Sequence, residues 1–306
     1  MDQAQQLREI IKAEHAPQRP LARIITVTSG KGGVGKSNVS INLAIQFRRM
    51  GQRVIILDAD FGLANIEIMF GTVPKHNLSD LIYQHKNIKD IITWGPEGVG
   101  FISGGSGISG MYNLERKYLV DIIVNLAELD AIADTIIIDT GAGISSAVME
   151  FLVASGEIIL VTTPEPTSIT DSYSLLKALN QQERFSRDNT MIKVVSNRVN
   201  SAEEGQQLFN KLNAVVARYL KLPLAYLGAI PQDQMLARGV MQQSPVSIQY
   251  PNSKSAKSFE KIAADLVKKT ESEKYKPRGM AAFFSHIITG RKLNSEKNTG
   301  DKASGQ

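Results

Sequence analysis

The chain has 306 residues, 42% of them hydrophobic, a formal net charge of +5 and no cysteine. This length and composition predict one large α/β core with short appendages. The lack of cysteine excludes disulfides, thiolate zinc sites and iron–sulfur ligation by this chain. It also fits the cytoplasm, which we expect because the sequence has neither an apolar signal core nor an apolar run long enough to span a bilayer.

The positive charge is concentrated at one end of the sequence. Residues 268–306 contain nine Lys or Arg and four Asp or Glu, so residues 1–267 carry no net charge. A neutral body argues against broad electrostatic binding of nucleic acid. A basic tail instead favours an anionic surface, such as the cytoplasmic face of the inner membrane.

Four segments are predicted in chain order. Residues 1–20 are predicted to form a short helix, to about His15, and a stiff linker that contains Pro17 and Pro20. Residues 21–270 are predicted to form the core domain. Residues 275–292 are predicted to form an amphipathic helix, and the polar residues 293–306 are predicted to be disordered.

The core begins with a glycine-rich loop between a strand and a helix. Residues 23–29 form an apolar, β-branched run that predicts a buried strand. The sequence GKGGVGKS follows and matches the phosphate-binding pattern G-x-x-x-x-G-K-[ST], in which backbone N–H groups surround phosphates. A nucleotide is therefore predicted to contact the loop and the next residue, that is, Gly30, Lys31, Gly32, Gly33, Val34, Gly35, Lys36, Ser37 and Asn38.

Two lysines occur in this loop where the pattern requires one. Lys36 is expected to reach the terminal phosphates, and the Ser37 hydroxyl is expected to hold Mg²⁺. Lys31 is a second cation at the entrance of the loop. This surplus charge predicts a contact with a nucleotide bound by another subunit, across a dimer interface.

The remaining pattern alternates strands with helices. Apolar runs predict strands at 54–58, 135–139, 158–162 and 192–196 and a strand ending at residue 230, with helices between them, for example at 171–180 and 203–220. The predicted fold is a single P-loop domain with a mostly parallel sheet covered by helices on both faces, plus short helical N- and C-terminal appendages. The glycine-rich residues 101–110 lack a lysine and are predicted to form a flexible turn.

Three aspartates follow predicted strands at the edge where a nucleotide binds. Asp139 ends one strand and is expected to hold Mg²⁺ directly or through water. Asp58 and Asp60 end another strand and lie on one side of it, about two residue rises apart. Because ligands bind at the carboxyl ends of strands in open α/β sheets, these carboxylates are predicted to complete an ATP and Mg²⁺ site.

The loop, the segment LDADFGLAN at 57–65 and the segment IDTGAG at 138–143 together resemble the MinD/ParA group of deviant Walker A ATPases. Matching motifs extend from about residue 24 to residue 264. The resemblance implies an ATP-driven homodimer in which Lys31 reaches the partner's nucleotide. It also implies that Asp60 activates water and that Asp58 is a switch residue near the metal.

Further nucleotide contacts are implied by the same resemblance. The family's adenine-binding elements correspond to two segments, which supply Asn197 and Arg198 and then Ile230, Pro231, Gln232 and Asp233. Glu150, on the helix that follows Asp139, is a candidate contact to the partner's nucleotide. A solvated helix face explains Glu150 equally well. ATP, ADP and Mg²⁺ are the implied cofactors.

The N-terminal residues narrow the resemblance. The sequence DQAQQLR at 2–8 is similar to the activator motif of the FlhG family (YlxH/FleN), MinD-like regulators of flagellar placement and number. That family's N-terminal helix stimulates the flagellar GTPase FlhF, so Gln3 is the candidate residue acting in trans. The resemblance also implies flagellar C-ring or basal-body partners. A frayed amphipathic terminus would explain the motif without a partner.

The C-terminal segment contains an apolar helical stripe. Its members recur at i, i+3, i+4, i+7 and i+8 and are flanked by lysines and arginines; they are Met280, Phe283, Phe284, Ile287 and Ile288. Such a helix can lie reversibly in a membrane interface, or it can pack against the protein's own core. Both interpretations stay open from the sequence.

Two functional alternatives also stay open. A MinD-type division-site ATPase or a ParA-type segregation ATPase would use the same chemistry with another partner. A nucleotide-binding assembly scaffold without significant turnover would belong to a different functional class.

Overall fold

The computed structural model describes residues 21–60, 65–104, 116–272 and 279–287. The predicted N-terminal helix with Gln3, the predicted tail at 293–306 and Ile288 lie outside these residues.

The described residues contain a single eight-stranded sheet. Its spatial order is β3-β4-β2-β5-β1-β6-β7-β8, and every pair is parallel except β3 with β4. The strands are β1 (Arg23–Thr28), β2 (Val54–Ala59), β3 (Thr93–Trp94), β4 (Gly100–Ser103), β5 (Thr135–Thr140), β6 (Glu157–Thr162), β7 (Met191–Val199) and β8 (Leu224–Pro231).

Helices cover both faces of the sheet and connect its parallel strands. They are α1 (Lys36–Arg49), α2 (Asn65–Phe70), α3 (Leu78–Tyr83), α4 (Ile88–Ile91), α5 (Arg116–Ala127), α6 (Leu129–Ile132), α7 (Ser146–Ala154), α8 (Pro166–Asn180), α9 (Ala202–Leu220), α10 (Gln234–Met241), α11 (Val246–Gln249), α12 (Lys254–Ser272) and α13 (279–287), with 3₁₀ turns at Pro96–Gly98 and Arg187–Asn189.

Alternation along the central strands builds a hydrophobic core on each face. On β5, Ile136 and Ile138 join one buried cluster, whereas Ile137 joins the other. Both sides of a central parallel strand are buried, so its sequence is continuously apolar. The predicted fold class is confirmed. It brings the carboxyl ends of β1, β2 and β5 to one edge.

Two local predictions differ from the structure. Of the predicted turn at 101–110, residues 101–103 instead continue strand β4, which pairs with β2, and residues 105–110 lie outside the described residues. Gly100, at the start of this strand, packs closely, since a Cβ atom there would lie 3.1 Å from the Ile55 side chain and 3.2 Å from Ile92 and Trp94. Helix α8 begins at Pro166, five residues before the predicted start, since proline is favoured in the first turn.

The C-terminal stripe packs against the core in this structure. Met280, Phe283, Phe284 and Ile287 are each at most 3% exposed and belong to the cluster on the α5–α7 face. The Phe283 ring lies 6.0 Å from the ring of Phe151. The membrane-facing arrangement is therefore not the one observed, because these side chains are already covered by the protein itself.

A carboxylate holds the first turn of this helix. The backbone N–H of Met280 donates to both oxygens of Asp130, at 3.1 and 3.0 Å. An acidic side chain at a helix N-terminus satisfies a donor that has no partner within the helix. None of the described helices is both long and apolar enough to cross a membrane.

Candidate active site

The glycine-rich loop leads from β1 into the N-terminus of α1. Gly33 and Gly35 adopt φ angles of 76° and 96°, in the left-handed region that glycine enters without steric cost. No side chain caps α1, and its first turn carries no acidic residue. The N–H groups and the positive end of the helix dipole are therefore available to an anion such as a phosphate.

Close packing holds the loop from two sides. At Gly30, a Cβ atom would lie 2.1 Å from the backbone carbon of Asp171 on α8, so only glycine fits there. The Gly143 N–H donates to the Ser29 carbonyl at 2.9 Å. The loop is thus held between α8 and the segment that follows β5.

Asn197 braces the loop from the end of β7. Its side-chain Nδ2 donates to the Val34 carbonyl at 2.7 Å, and its Oδ1 accepts from the Arg198 N–H at 2.9 Å. The same Nδ2 would lie 2.5 Å from a Cβ at Gly35. Arg198 is exposed and has a φ of 57°, which is uncommon for a residue with a side chain. The adenine contacts of these two residues stay predictions.

Two buried carboxylates face each other across neighbouring strands. Asp58 on β2 is the register partner of Asp139 on β5. Asp139 is fully buried; its Oδ1 accepts from the Ser40 hydroxyl at 2.8 Å, whereas its Oδ2 has no hydrogen-bond partner. Asp58 accepts the backbone N–H groups of Asp60 and Ile66, at 3.1 and 3.3 Å.

Burial and mutual repulsion raise the pKa of both carboxyl groups. Burial, followed by the charge of Asp139, raises the pKa of Asp58 to about 8, although the Asp60 and Ile66 amides oppose the shift. Burial also raises the pKa of Asp139, opposed by the hydroxyls of Ser37 and Ser40 and by the charge of Lys36. Two adjacent carboxyl groups with too little positive charge nearby are suited to a divalent cation.

These residues fit Mg²⁺ held mainly by phosphates and water. In the described parts of the chain, no group of three or more His, Cys, Asp or Glu side chains can hold a metal ion by itself. Mg²⁺ at nucleotide sites typically keeps several waters and uses one or two protein ligands plus phosphate oxygens. The buried Oδ2 of Asp139, which lacks a hydrogen bond, fits such an ion or its water.

Asp60 lies at the rim of the same edge and is partly exposed. Its Oδ2 accepts from the Asn65 side chain at 3.4 Å, and its Oδ1 would lie 3.6 Å from a Cβ at Gly141. A carboxylate open to solvent beside a phosphate loop can accept a hydrogen bond from water.

The two loop lysines occupy different environments. Lys36 is 8% exposed and lies at the start of α1. The Lys31 side chain is 38% exposed, and its Nζ contacts Glu165 Oε2 at 2.7 Å and Thr167 Oγ1 at 3.0 Å. Lys31 is therefore held at the surface by the first turn of α8 and the residue before it.

Glu150 lies beside the C-terminal helix. It forms a salt bridge of 3.3 Å with Arg184, which also donates to the His286 carbonyl. Burial raises the pKa of Glu150, and Arg184 opposes this shift. The structure thus places Glu150 in an intramolecular contact with residues of the α13 side of the molecule, so its contact with a partner's nucleotide stays a prediction.

The second predicted adenine element is held mainly by the protein's own contacts. Ile230 is fully buried in the core, and the Gln232 N–H donates to the Val199 carbonyl at 2.9 Å next to Pro231. Asp233 caps α10 through the Met235 N–H at 2.9 Å and accepts the Ser255 hydroxyl at 2.8 Å. The Gln232 side chain itself is exposed, and the adenine contacts of this element stay predictions.

Sequence reasoning missed three residues of the site: Ser40, Glu165 and Thr167. Ser40 follows Ser37 by three residues on one helix, so spacing alone puts both hydroxyls on one face of α1. Glu165 is 134 residues from Lys31 in the chain. No local signal predicts that contact.

Comparisons with known proteins identify the family. The ParA family model, described as the NUBPL iron-transfer P-loop NTPase, matches residues 21–267. The chain belongs to the ParA/MinD family of P-loop NTPases. Antiactivator FleN of Pseudomonas aeruginosa is 38% identical over 275 residues, which are 88% of this chain and 95% of FleN. Flagellum site-determining protein YlxH of Helicobacter pylori is 33% identical over 271 residues, 87% of this chain and 90% of YlxH.

Solved structures of the family share the fold. The cell division ATPase MinD of Pyrococcus furiosus has a TM-score of 0.62 and 26% identity, over 81% of this chain and all of that one. The septum site-determining MinD of Pyrococcus horikoshii, complexed with Mg-ADP, has a TM-score of 0.62 and 25% identity, over 82% and 98%. The predicted resemblance to the MinD/ParA group and to FlhG (YlxH/FleN) is confirmed, and this ParA/MinD protein is an ATPase.

Proposed function

We propose that this ParA/MinD ATPase is a nucleotide switch that controls flagellar placement, number and assembly. The name of YlxH, a flagellum site-determining protein, supports the flagellar role. Iron transfer, named in the family model's description, is not proposed, because the chain has no cysteine to bind iron through a thiolate.

The environment of Lys31 carries the proposal for a dimer. Lys36 is buried at the start of α1, where the phosphates of the subunit's own nucleotide would lie. Lys31 is instead exposed at the rim and held by two exposed side-chain contacts. Exchange of those weak contacts for a partner's phosphate would join two subunits around ATP and Mg²⁺. Slow hydrolysis with Asp60 orienting water would then release monomers.

Membrane attachment is the proposed output of the switch. In the described state, the apolar side chains of α13 are covered by the core. The dimer would favour release of this helix, and two released helices on one dimer would bind an anionic inner-membrane surface with avidity. Each helix alone would bind weakly and reversibly, so attachment would follow the nucleotide state.

The proposed partners follow the flagellar relatives. The N-terminal segment would stimulate the GTPase FlhF through Gln3, which can orient an attacking water. Flagellar C-ring or basal-body components would position the dimer. This protein would act at the cytoplasmic face of the membrane and would leave it after hydrolysis.

Liposome flotation tests the switch. We expect the wild type to float with anionic liposomes in ATP and to remain soluble in ADP. Asp60→Ala should accumulate on liposomes in ATP, because hydrolysis no longer releases it, whereas Lys31→Ala should lose nearly all ATP-dependent binding. Lys89→Ala is the matched control, since Lys89 is also an exposed lysine in a salt bridge, 3.1 Å from Glu128.

Binding that is the same in ATP and ADP would exclude the switch. If Lys31→Ala floats with liposomes in ATP as the wild type does, the proposed role of this lysine in the dimer is wrong.

A further inference from the structure

Ser40 is a buried hydroxyl to which neither the sequence pattern nor the comparisons assign a function. It lies on α1, fully buried, one helical turn after Lys36. Its Oγ is 2.8 Å from Asp139 Oδ1 and 3.3 Å from the Lys36 carbonyl. A serine hydroxyl donates only one hydrogen. The shorter contact, to a carboxylate, is the stronger of the two.

The two oxygens of Asp139 differ in their surroundings. Oδ1 is bonded to Ser40, whereas Oδ2 is buried without a hydrogen bond. A buried acceptor that lacks a donor is costly unless a ligand or water satisfies it. Oδ2 of Asp139 is therefore the oxygen that a ligand bound at this site can use.

The backbone of Asp139 is fixed, but its carboxylate is not. Strand β5 pairs on both sides at this residue, with Val27 of β1 and Asp58 of β2. The terminal torsion of an aspartate side chain is broad, so backbone pairing alone does not set the direction of its oxygens. Asp58 accepts the backbone amides of Asp60 and Ile66, and the Ser37 hydroxyl, which also acts on Asp139, is the one expected to hold Mg²⁺.

We propose that Ser40 is a positioning residue for the magnesium site. By donating to Oδ1, it fixes the rotation of the Asp139 carboxylate and leaves Oδ2 for Mg²⁺ or its water. This inference rests on the proposed binding of a Mg²⁺ nucleotide at this loop. Outer contacts of this kind typically change metal affinity by about 10- to 100-fold when they are removed.

The test compares ADP affinity with and without Mg²⁺. A fluorescent ADP analogue is titrated into the full chain, once in EDTA and once in excess Mg²⁺, and the ratio of the two Kd values measures the contribution of the ion. We expect Ser40→Ala to leave the Kd in EDTA near the wild-type value and to reduce the ratio by about 10-fold. Ser40→Thr retains the hydroxyl and should keep the ratio.

Ser155→Ala is the matched control. Ser155 is also fully buried, and its hydroxyl also bonds the carbonyl four residues earlier, that of Phe151, at 2.6 Å. Its other hydroxyl contact is Thr26 and not a carboxylate. This variant should therefore keep the wild-type ratio even if it lowers the melting temperature by a similar amount.

Three results would overturn the inference. In the first, Ser40→Ala keeps the wild-type ratio; in the second, Ser155→Ala loses the ratio equally. In the third, Ser40→Ala weakens ADP binding in EDTA as much as in Mg²⁺, which would mean that Ser40 supports the loop itself. If the wild type shows no gain from Mg²⁺ at all, the proposed function of the site fails instead, so the two failures are distinguishable.

Discussion

The two edges of the central sheet both contain buried carboxylates, but only one edge joins its carboxylate to cations through salt bridges. At the amino-terminal edge, Glu157 on β6 is 2% exposed and lies between Arg23 and Lys193. Arg23 binds it with two nitrogens at 2.8 and 2.7 Å, and Lys193 adds a contact of 2.9 Å. Although burial opposes the shift, these cations hold the pKa of Glu157 below its usual value.

The carboxyl-terminal edge reverses this arrangement. Asp58 and Asp139 are equally buried but lie next to each other, and the pKa of each is raised. A protein that can provide two cations for one carboxylate at one edge leaves two carboxylates undercompensated at the other. We infer that the first edge serves stability, whereas the second is kept for the positive charge of a bound ion.

We call the edge with Glu157 the paired edge and the edge with Asp58 and Asp139 the unpaired edge. The largest expected effect is loss of stability at the paired edge. Glu157→Gln leaves Arg23 and Lys193 buried without a counter-charge, and breaking such a network costs about 3–5 kcal/mol. Urea unfolding of the full chain measures this loss. The same change in an exposed pair, Glu128→Gln beside Lys89, should cost less than about 1 kcal/mol. Equal costs for the two variants would contradict the distinction.

At the unpaired edge, the raised pKa of Asp58 should make the free energy of unfolding depend on pH. The pKa of Asp58 is about 8 in the folded chain and 3.8 for an aspartate side chain in water, so the folded state binds the proton more tightly. The contribution of Asp58 to the free energy of unfolding is therefore fully present below about pH 4. It is lost as pH rises towards 8, by at most about 1.4 kcal/mol per pH unit. Asp58→Asn should reduce this slope in EDTA without nucleotide, and the part that remains is assigned to Asp139, whose pKa burial also raises.

Unfolding curves at several pH values between 5 and 8 measure the slope. Asp134→Asn is the matched control, because Arg53 lowers the pKa of Asp134 and that group stays ionised across this range. Its slope should equal that of the wild type. A wild-type slope that is unchanged in Asp58→Asn would show that another group causes the pH dependence.

The two edges also differ in how far the sequence predicts them. Asp58, Asp60 and Asp139 follow apolar runs, and parallel pairing alone brings strand ends together, so the unpaired edge is predictable from local pattern. The paired edge joins Arg23, Glu157 and Lys193 across strands distant in the chain. Local pattern does not distinguish such a buried charge from a solvated one.

Other features depend on contacts that a pattern cannot specify. The spacing of Phe283 and Phe284 predicts an amphipathic helix, but the same stripe suits a membrane or a core. The glycine-rich segment 101–110 predicts a turn, but residues 101–103 form a strand because they pair with β2, which local pattern does not show. The pairing of Lys31 with Glu165 requires the folded sheet.

The smallest effect is expected at the exposed ion pair of Lys31 with Glu165, which belongs to neither group of buried charges. In the described state, Lys31 pairs with Glu165, and both side chains are largely exposed, at 38% and 54%. If Lys31 must leave Glu165 to reach a partner's nucleotide, the pair opposes dimerisation, and each dimer breaks it twice. Because exposed pairs are weak, Glu165→Gln should tighten the ATP-dependent dimer only by about two- to fivefold.

Sedimentation of the Asp60→Ala protein in ATP, with and without Glu165→Gln, measures this change in dimer Kd. The gain in dimer affinity should shrink at high ionic strength, since salt screens exposed pairs. The control Glu128→Gln should give no gain at low or high ionic strength. A weaker dimer would mean that Glu165 contributes to the interface itself. A tighter dimer would mean that Glu165 binds Lys31 only until a partner's nucleotide replaces it, just as the Asp139 carboxylate stays without a salt bridge until its ion binds.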